Sequence, residues 1–242
     1  AGLVLPVLVD VDLGRHRNGV KDAAGAIDVA AAVARSSSLD LAGIQAYASH
    51  ISHVESYADR LTASRACAAS VSEIRAALEG SGHRVGVVTG GSTGTLFIDT
   101  ALGVYNELQC GSYVFSDAEY AALSLDGTTQ APFEPALFVR VSVIGRNWPG
   151  RVTCDGGNKH FSAKGTLPKF RRSPVTGAVY TPDSDEHGII ALPEQAAQPA
   201  LGTLFDLVVP HCDPTVNLFD DIHVLDGDTL VDIWPIEARG AF

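Results

Sequence analysis

Leu3-Val4-Leu5-Pro6-Val7-Leu8-Val9-Asp10-Val11 is a continuous apolar run broken only by Pro6 and Asp10. A run that is apolar throughout, rather than alternating, reads as a strand buried in a parallel sheet. Asp12 to Gly19 follows as a loop carrying Arg15, His16 and Arg17. Ala23 to Arg35 predicts an Ala-rich helix, Leu39 to Tyr47 the next strand, and Val54 to Leu78 a long helix with apolar residues at helical spacing. Arg84 to Val88 predicts a third strand and Glu107 to Phe115 a fourth. Strands alternating with helices predict α/β architecture with a parallel sheet.

The texture changes near Gln130. Ala136 to Ile144, Arg151 to Cys154, Val175 to Tyr180, His187 to Leu192, Leu204 to Val209, Ile222 to Asp226 and Thr229 to Trp234 read as short strands. Pro, Gly and Asp punctuate them and little helix lies between, as in an all-β domain. The expected division is an α/β domain over residues 1–130 and a β domain over 131–242. Asp226-Gly227-Asp228 predicts a hairpin turn, with a Gly that tolerates positive φ.

The 242 residues are 46% hydrophobic and 19% charged, enough apolar material for a proper core. The net charge of -11, from 17 basic and 28 acidic residues, disfavours nucleic acid and anionic membrane as partners. Any bound anion must therefore be held locally, by backbone amides and a few Arg. No signal peptide and no apolar run of about 18 residues is visible. Cys67, Cys110, Cys154 and Cys212 form no C-x-x-C pair, so reduced thiols and a cytoplasmic location are expected. The chain contains no Met and opens at Ala1 directly before a strand, so a processed start or a longer polypeptide is expected.

Two stretches carry chemistry. Val85-Gly86-Val87-Val88-Thr89-Gly90-Gly91-Ser92-Thr93-Gly94-Thr95 is an apolar run leading into a loop of glycines and hydroxyls. Consecutive N–H groups and hydroxyls in such a loop can cradle a phosphate, although an ordinary strand-to-helix turn has the same composition. It is neither a P-loop nor the dinucleotide fingerprint, because the Lys and the Gly spacing are missing. Near the end, Pro210-His211-Cys212-Asp213-Pro214-Thr215 sets an imidazole, a thiol and a carboxylate side by side. If this stretch is extended, His211 and Asp213 share one face and Cys212 points away, as two ligands of a divalent metal would require. A polar turn ended by Pro214 is the alternative.

In four stretches the chain resembles the D-threonine aldolase and D-serine dehydratase group, fold-type III pyridoxal-phosphate enzymes with the alanine-racemase-like fold. The first stretch is Val9-Asp10-Val11-Asp12-Leu13-Gly14-Arg15-His16-Arg17-Asn18-Gly19-Val20, and the second is Gly43-Ile44-Gln45-Ala46-Tyr47. The third joins Thr89 to Thr95 with Glu107-Leu108-Gln109-Cys110-Gly111-Ser112-Tyr113-Val114-Phe115. The fourth runs from His211 to Trp234-Pro235-Ile236-Glu237-Ala238-Arg239-Gly240. The resemblance implies a partial (β/α)8 barrel followed by a C-terminal antiparallel β domain. About 130 residues of α/β pattern precede the β domain, against roughly 250 for a complete eight-stranded barrel. None of Lys21, Lys159, Lys164 and Lys169 matches the family's Schiff-base lysine. That lysine is expected from an N-terminal segment or another chain.

The resemblance assigns roles. Arg17 would donate to the phenolic oxygen of pyridoxal phosphate, and Tyr47 would lie against one ring face. Gly91, Ser92, Thr93 and Gly94, with Gly111, Ser112 and Tyr113, would hold the phosphate. Gln109 would neighbour the pyridine nitrogen, where a neutral amide cannot hold a proton on the ring as Asp would. His211 and Asp213 match two metal ligands, and a carboxylate at the second position favours Mn²⁺ or Mg²⁺ over Zn²⁺. His187, His50 and His53 are candidate bases. The implied activity is a lyase that cleaves a D-3-hydroxy amino acid to glycine and an aldehyde, acting as a homodimer. A D-serine or 3-hydroxyaspartate dehydratase is the alternative among enzymes. A non-catalytic, ligand- or partner-binding remnant lacking the lysine is the alternative of another class.

Overall fold

The computed structural model describes residues 2–128, 132–162 and 165–239. Gln130, the expected boundary after it, Lys164 and Gly240 lie outside the described residues. The chain forms two compact units. Residues 1–113 and 123–132 make the first, and residues 114–122 and 133–242 the second.

The first unit is a β/α repeat. Strands β1 (Leu5–Asp10), β2 (Leu39–Ala46), β3 (Val87–Gly90) and β4 (Glu107–Leu108) pair in parallel in the order β1-β2-β3-β4. Helices α1 (Ala23–Ala34), α2 (Tyr57–Gly80) and α3 (Leu96–Leu102) fill the crossovers. Asp22 and Ser56 cap α1 and α2 by accepting from the backbone N–H of Gly25 and Asp59, one of the donors a helix start leaves unpaired. The apolar runs meet where Val9, Val11, Ile44, Ala46 and Val88 of the sheet region pack on Ala26 and Ala30 of α1 and Val71, Ile74 and Leu78 of α2. Four strands are half the complement of an eight-stranded barrel. The expected fourth strand is shorter than predicted. Gln109 N–H returns to the Gly90 carbonyl at 2.8 Å, and a 3-10 turn takes over at Ser112.

The largest buried polar side chain described in this unit is Arg60, on α2. Its guanidinium donates to the carbonyls of Val54 (2.5 Å), Glu55 (3.1 Å) and Ser124. Arg60 stands in line with Ser64, Cys67, Val71, Ile74 and Leu78 on the buried face of α2, and it ties the 123–125 segment to the start of that helix.

The second unit is antiparallel. Strands β5 (Phe138–Gly145), β6 (Arg151–Cys154), β7 (Lys169–Arg172), β8 (Val179–Pro182), β9 (Gly188–Ala191) and β10 (Leu204–Val208) form one sheet in the order β7-β10-β5-β6-β9-β8. Val141, Val143, Val152, Tyr180, Ile190, Phe205 and Leu207 build its core. Arg140 and Asp206, direct neighbours across β5 and β10, form a two-pronged pair at 2.7 and 3.1 Å. A short helix α4 (Cys212–Val216) leads to the hairpin of β11 (Asp221–Asp226) and β12 (Thr229–Pro235). Its turn has Gly227 at φ 59°, as the sequence predicts. β7 arises where no strand is predicted, since three of its four residues are basic. The strand expected at 175–180 begins only at Val179. Among the described residues no helix is long and apolar enough to cross a membrane.

Candidate functional site

In a parallel sheet every strand ends on the same edge, so loops distant in sequence gather there. In the first unit this edge collects the residues expected at the cofactor. The loop after β1 is organised by Asp12. Its carboxylate accepts from Gly14 N (3.0 Å) and His16 N (2.9 Å) and meets His16 Nδ1 at 2.9 Å. Led by the His16 backbone hydrogen bond, these contacts pull the Asp12 pKa down to about 2. Arg17 follows, exposed, with its guanidinium 6.0 Å from the centre of the Tyr47 ring, just after β2. A 3-10 turn (Ser49–Ile51) carries His50, whose Nε2 lies 3.6 Å from where a Cβ on Gly14 would sit. His53 is exposed just beyond.

The glycine loop follows β3, and Gly91, Ser92, Thr93 and Gly94 are all buried. Gly91 has φ 72°, a conformation that excludes most side chains. Ser92 is held locally: its N–H donates to the Thr95 hydroxyl at 3.1 Å, and the two hydroxyls meet at 3.0 Å. Thr93 is different. Its hydroxyl is buried with no hydrogen-bond partner. A buried unpaired hydroxyl costs about 1–3 kcal/mol unless something completes it, and a ligand phosphate oxygen fits that need. Across the paired ends of β3 and β4, Gly90 lies opposite Leu108, so the Gly111-Ser112-Tyr113 segment leaves the same edge. Gln109 donates one side-chain N–H to the Thr89 hydroxyl at 3.2 Å, which leaves its second amide N–H as the group to offer a ring nitrogen.

Behind this loop sits a carboxyl no sequence signal announces. Asp99 is 3% exposed, and its Oδ2 would lie 2.9 Å from a Cβ at Gly91. Burial raises its pKa, offset in part by a hydrogen bond from Thr95. Burial likewise pushes the Cys67 and Cys110 thiols up to about 11, with the Asp99 charge adding to the effect, so neither is a thiolate at neutral pH. A carboxyl whose pKa is higher folded than unfolded contributes stability that is complete below its unfolded value, about 4. That stability is lost as pH rises through the folded value. Asp99→Asn should therefore gain in melting temperature relative to the parent chain as pH rises from about 4 to 8. Thermal melts across that range check this, and a gap that narrows with pH would contradict it.

The second unit holds the other candidates. The His211 stretch is not extended. His211 is the N-cap residue of α4, Cys212 opens the helix, and Pro214 sits in its first turn, where a missing N–H does no harm. His211 and Asp213 nevertheless converge, with Nε2 and Oδ2 3.6 Å apart. Two donors each about 2.0–2.3 Å from one ion stand at this separation. The convergence comes from the helix start and from Asp117. Asp117 is fully buried and accepts from Tyr120 N (2.9 Å), Cys212 N (3.1 Å) and His211 Nδ1 (3.0 Å). Burial alone would raise the Asp117 carboxyl, but these hydrogen bonds outweigh it and hold it below the usual range. The hydrogen bond to Asp117 raises the His211 pKa against the effect of burial.

Asp117, His211 and Cys212 also form a cluster whose ligand atoms lie within 4.8 Å of one another. Asp117 already accepts three hydrogen bonds, and the expected ligand pair is His211 Nε2 with Asp213. His187, exposed in the turn before β9, has Nδ1 3.3 Å from the Ser184 hydroxyl. Sequence reasoning missed Asp117 because 94 residues separate it from His211.

Two family models match the chain: alanine racemase, N-terminal domain, over residues 1–119, and a serine dehydratase domain over residues 136–225. The chain is 38% identical to a D-threonine aldolase of an Arthrobacter species over 240 residues. It is 35% identical to the 3-hydroxy-D-aspartate aldolase of Paracoccus denitrificans over 243 residues. Each alignment covers 99% of this chain and 62% of the relative. The crystal structure of D-threonine aldolase from Filomicrobium marinum superposes with a TM-score of 0.91 at 34% identity, covering 98% of this chain and 64% of that one. The chain thus spans about three-fifths of the length of the curated relatives it matches.

Proposed function

We propose that this chain, which belongs to the alanine-racemase-like family that includes the D-threonine and 3-hydroxy-D-aspartate aldolases, serves a lyase that cleaves D-3-hydroxy amino acids to glycine and an aldehyde. The observation that carries this reading is the 3.6 Å pairing of an imidazole with a carboxylate, His211 with Asp213. An oxygen-bearing second ligand suits a hard ion such as Mn²⁺ or Mg²⁺.

Pyridoxal phosphate, when bound, supplies an electron sink for the pair released at Cα, and the divalent ion supplies positive charge to the substrate's β-oxygen. The chain's residues do the rest. Arg17 would keep a fixed positive charge beside the cofactor's phenolic oxygen, and Tyr47 would cover one ring face. The amides of residues 91–94 and 111–113, with the Thr93 hydroxyl, bind the phosphate. Gln109 would donate a neutral amide N–H to the ring nitrogen and so would not hold it protonated. His50 or His53, from the same edge as Arg17, takes the β-hydroxyl proton as the Cα–Cβ bond breaks, with His187 as the alternative base. Cα then gains a proton to give glycine, while the β-carbon leaves as the aldehyde. None of Lys21, Lys159, Lys164 and Lys169 matches the family's cofactor-bearing lysine, and the active form would be a homodimer.

The test is product analysis of the protein that carries this chain, with D-threonine, pyridoxal phosphate and Mn²⁺. Glycine with acetaldehyde is the expected outcome. A keto acid with ammonia would make it a dehydratase, and neither product would leave a binding protein.

A further inference from the structure

We propose that Asp117 is the positioning residue of the metal site, one carboxylate that sets both His211 and Asp213. This rests on the reading of His211 and Asp213 as metal ligands and concerns what holds them.

Three observations carry it. First, Asp117 Oδ2 meets His211 Nδ1 at 3.0 Å while Asp117 itself is fully buried. An ionised carboxylate accepts only, so Nδ1 carries the hydrogen and Nε2 is the nitrogen with which the imidazole would meet an ion. A carboxylate behind a ligating imidazole also makes it a better donor. Second, α4 has no cap of its own: the side chain of His211, its N-cap residue, makes no capping hydrogen bond. The Cys212 N–H is instead satisfied by Asp117 at 3.1 Å. A carboxylate supplied from outside thus caps the helix start on which Asp213 is the second residue, and so fixes where the Asp213 side chain begins. Third, the segment bearing Asp117 is itself anchored. Ala118 N–H donates to the Val209 carbonyl at 3.0 Å, next to β10, and Tyr120 N–H donates to Asp117 Oδ1 at 2.9 Å. The Tyr120 ring packs against the His211 ring at 6.4 Å, limiting its rotation. Both ligands therefore depend on a residue from the 114–122 segment, which explains why that segment belongs to the second unit although it follows β4 in sequence.

The test is Mn²⁺ binding to the chain by electron paramagnetic resonance, compared among the parent, Asp117→Asn, Asp117→Ala and His211→Ala. Asn can still accept from His211 and Cys212 but has no charge and presents an NH₂ to Tyr120 N–H. Asp117→Asn should weaken Mn²⁺ about 10-fold and Asp117→Ala up to about 100-fold, the range for partners of metal ligands. Substituting Co²⁺ should give the same visible spectrum per bound ion in parent and Asp117→Asn, because the donors are unchanged. An unaltered Mn²⁺ affinity in folded Asp117→Asn would overturn the proposal, as would a changed Co²⁺ spectrum, which would make Asp117 a ligand. A purely structural role would lower the melting temperature and leave the affinity of the folded protein unmoved. Nitrogen-15 NMR of the parent chain decides the matter even if neither variant folds. Added Zn²⁺ should shift His211 Nε2 and leave Nδ1 protonated, and a metal at Nδ1 would refute it. Were the parent chain to bind no metal ion, the metal reading would fail and this proposal with it. A parent that binds and an Asp117→Asn that matches it would remove the positioning role alone.

Discussion

Asp213→Ala is expected to reduce metal-dependent cleavage by more than about 100-fold, to the background seen in chelator, while the cofactor's visible absorbance stays. The size follows from the ligand count. His211 and Asp213 are the two protein donors proposed for the ion, 3.6 Å apart, so removing one halves the proposed set. Losing a partner behind a ligand costs about 10–100-fold, and losing the ligand itself costs more. The absorbance should survive because Arg17, Tyr47 and the 91–94 loop belong to the first unit and Asp213 to the second. Asp213 is two-thirds exposed, so truncation removes little packing and the fold should persist. Activity and absorbance measured with and without Mn²⁺ check this, and full activity in chelator would refute the metal assignment.

Gly94→Ala is expected to destabilise the first unit by about 3 kcal/mol or more and to abolish phosphate binding. A Cβ there would lie 1.8 Å from the Ser52 carbonyl oxygen and 2.7 Å from its carbon. No rotamer relieves a clash with backbone. Either the glycine loop or the turn after His50 must move, and both belong to the proposed cofactor edge. Thermal melts with fluorescence titration of pyridoxal phosphate check this. A variant that melts with the parent and binds the cofactor equally would show that the close approach is unimportant. Gly103→Ala is the contrasting control for packing, since a Cβ there meets nothing within 4 Å, although its φ of 67° carries a backbone cost of its own.

The legible parts of the chain were those in which one physical preference dominates locally. Leu3 to Val11 and Leu39 to Tyr47 became the parallel strands β1 and β2, although the expected burial holds only for the later part of the first, since Leu3, Val4 and Leu5 are exposed. Asp226-Gly227-Asp228 became a tight turn because Gly accepts φ 59°. Elsewhere local preference was outvoted. Glu107 to Phe115 has strand-like residues, yet pairing ends at Leu108 because β3 offers no further partner beyond Gly90. Lys169 to Arg172 has no apolar alternation, yet it is a strand because β10 has an open edge for it. Asp213-Pro214 reads as a turn by composition. It lies in the first turn of a helix because Asp117 caps that turn from another part of the chain.

By itself the sequence determined the alternation of strand and helix, the change to antiparallel strands, and which loops carry glycine, hydroxyl and imidazole groups. Periodicity and backbone freedom act over a few residues, so they can be read from a few residues. Only the tertiary structure decided that Asp117 stands behind His211, that Asp99 lies behind Gly91, and that Arg60 is inside. Each is a polar group withdrawn from water, which is tolerable only where distant backbone or side-chain partners replace the lost hydration. Those partners are set by how the elements pack, and no short stretch of sequence records them.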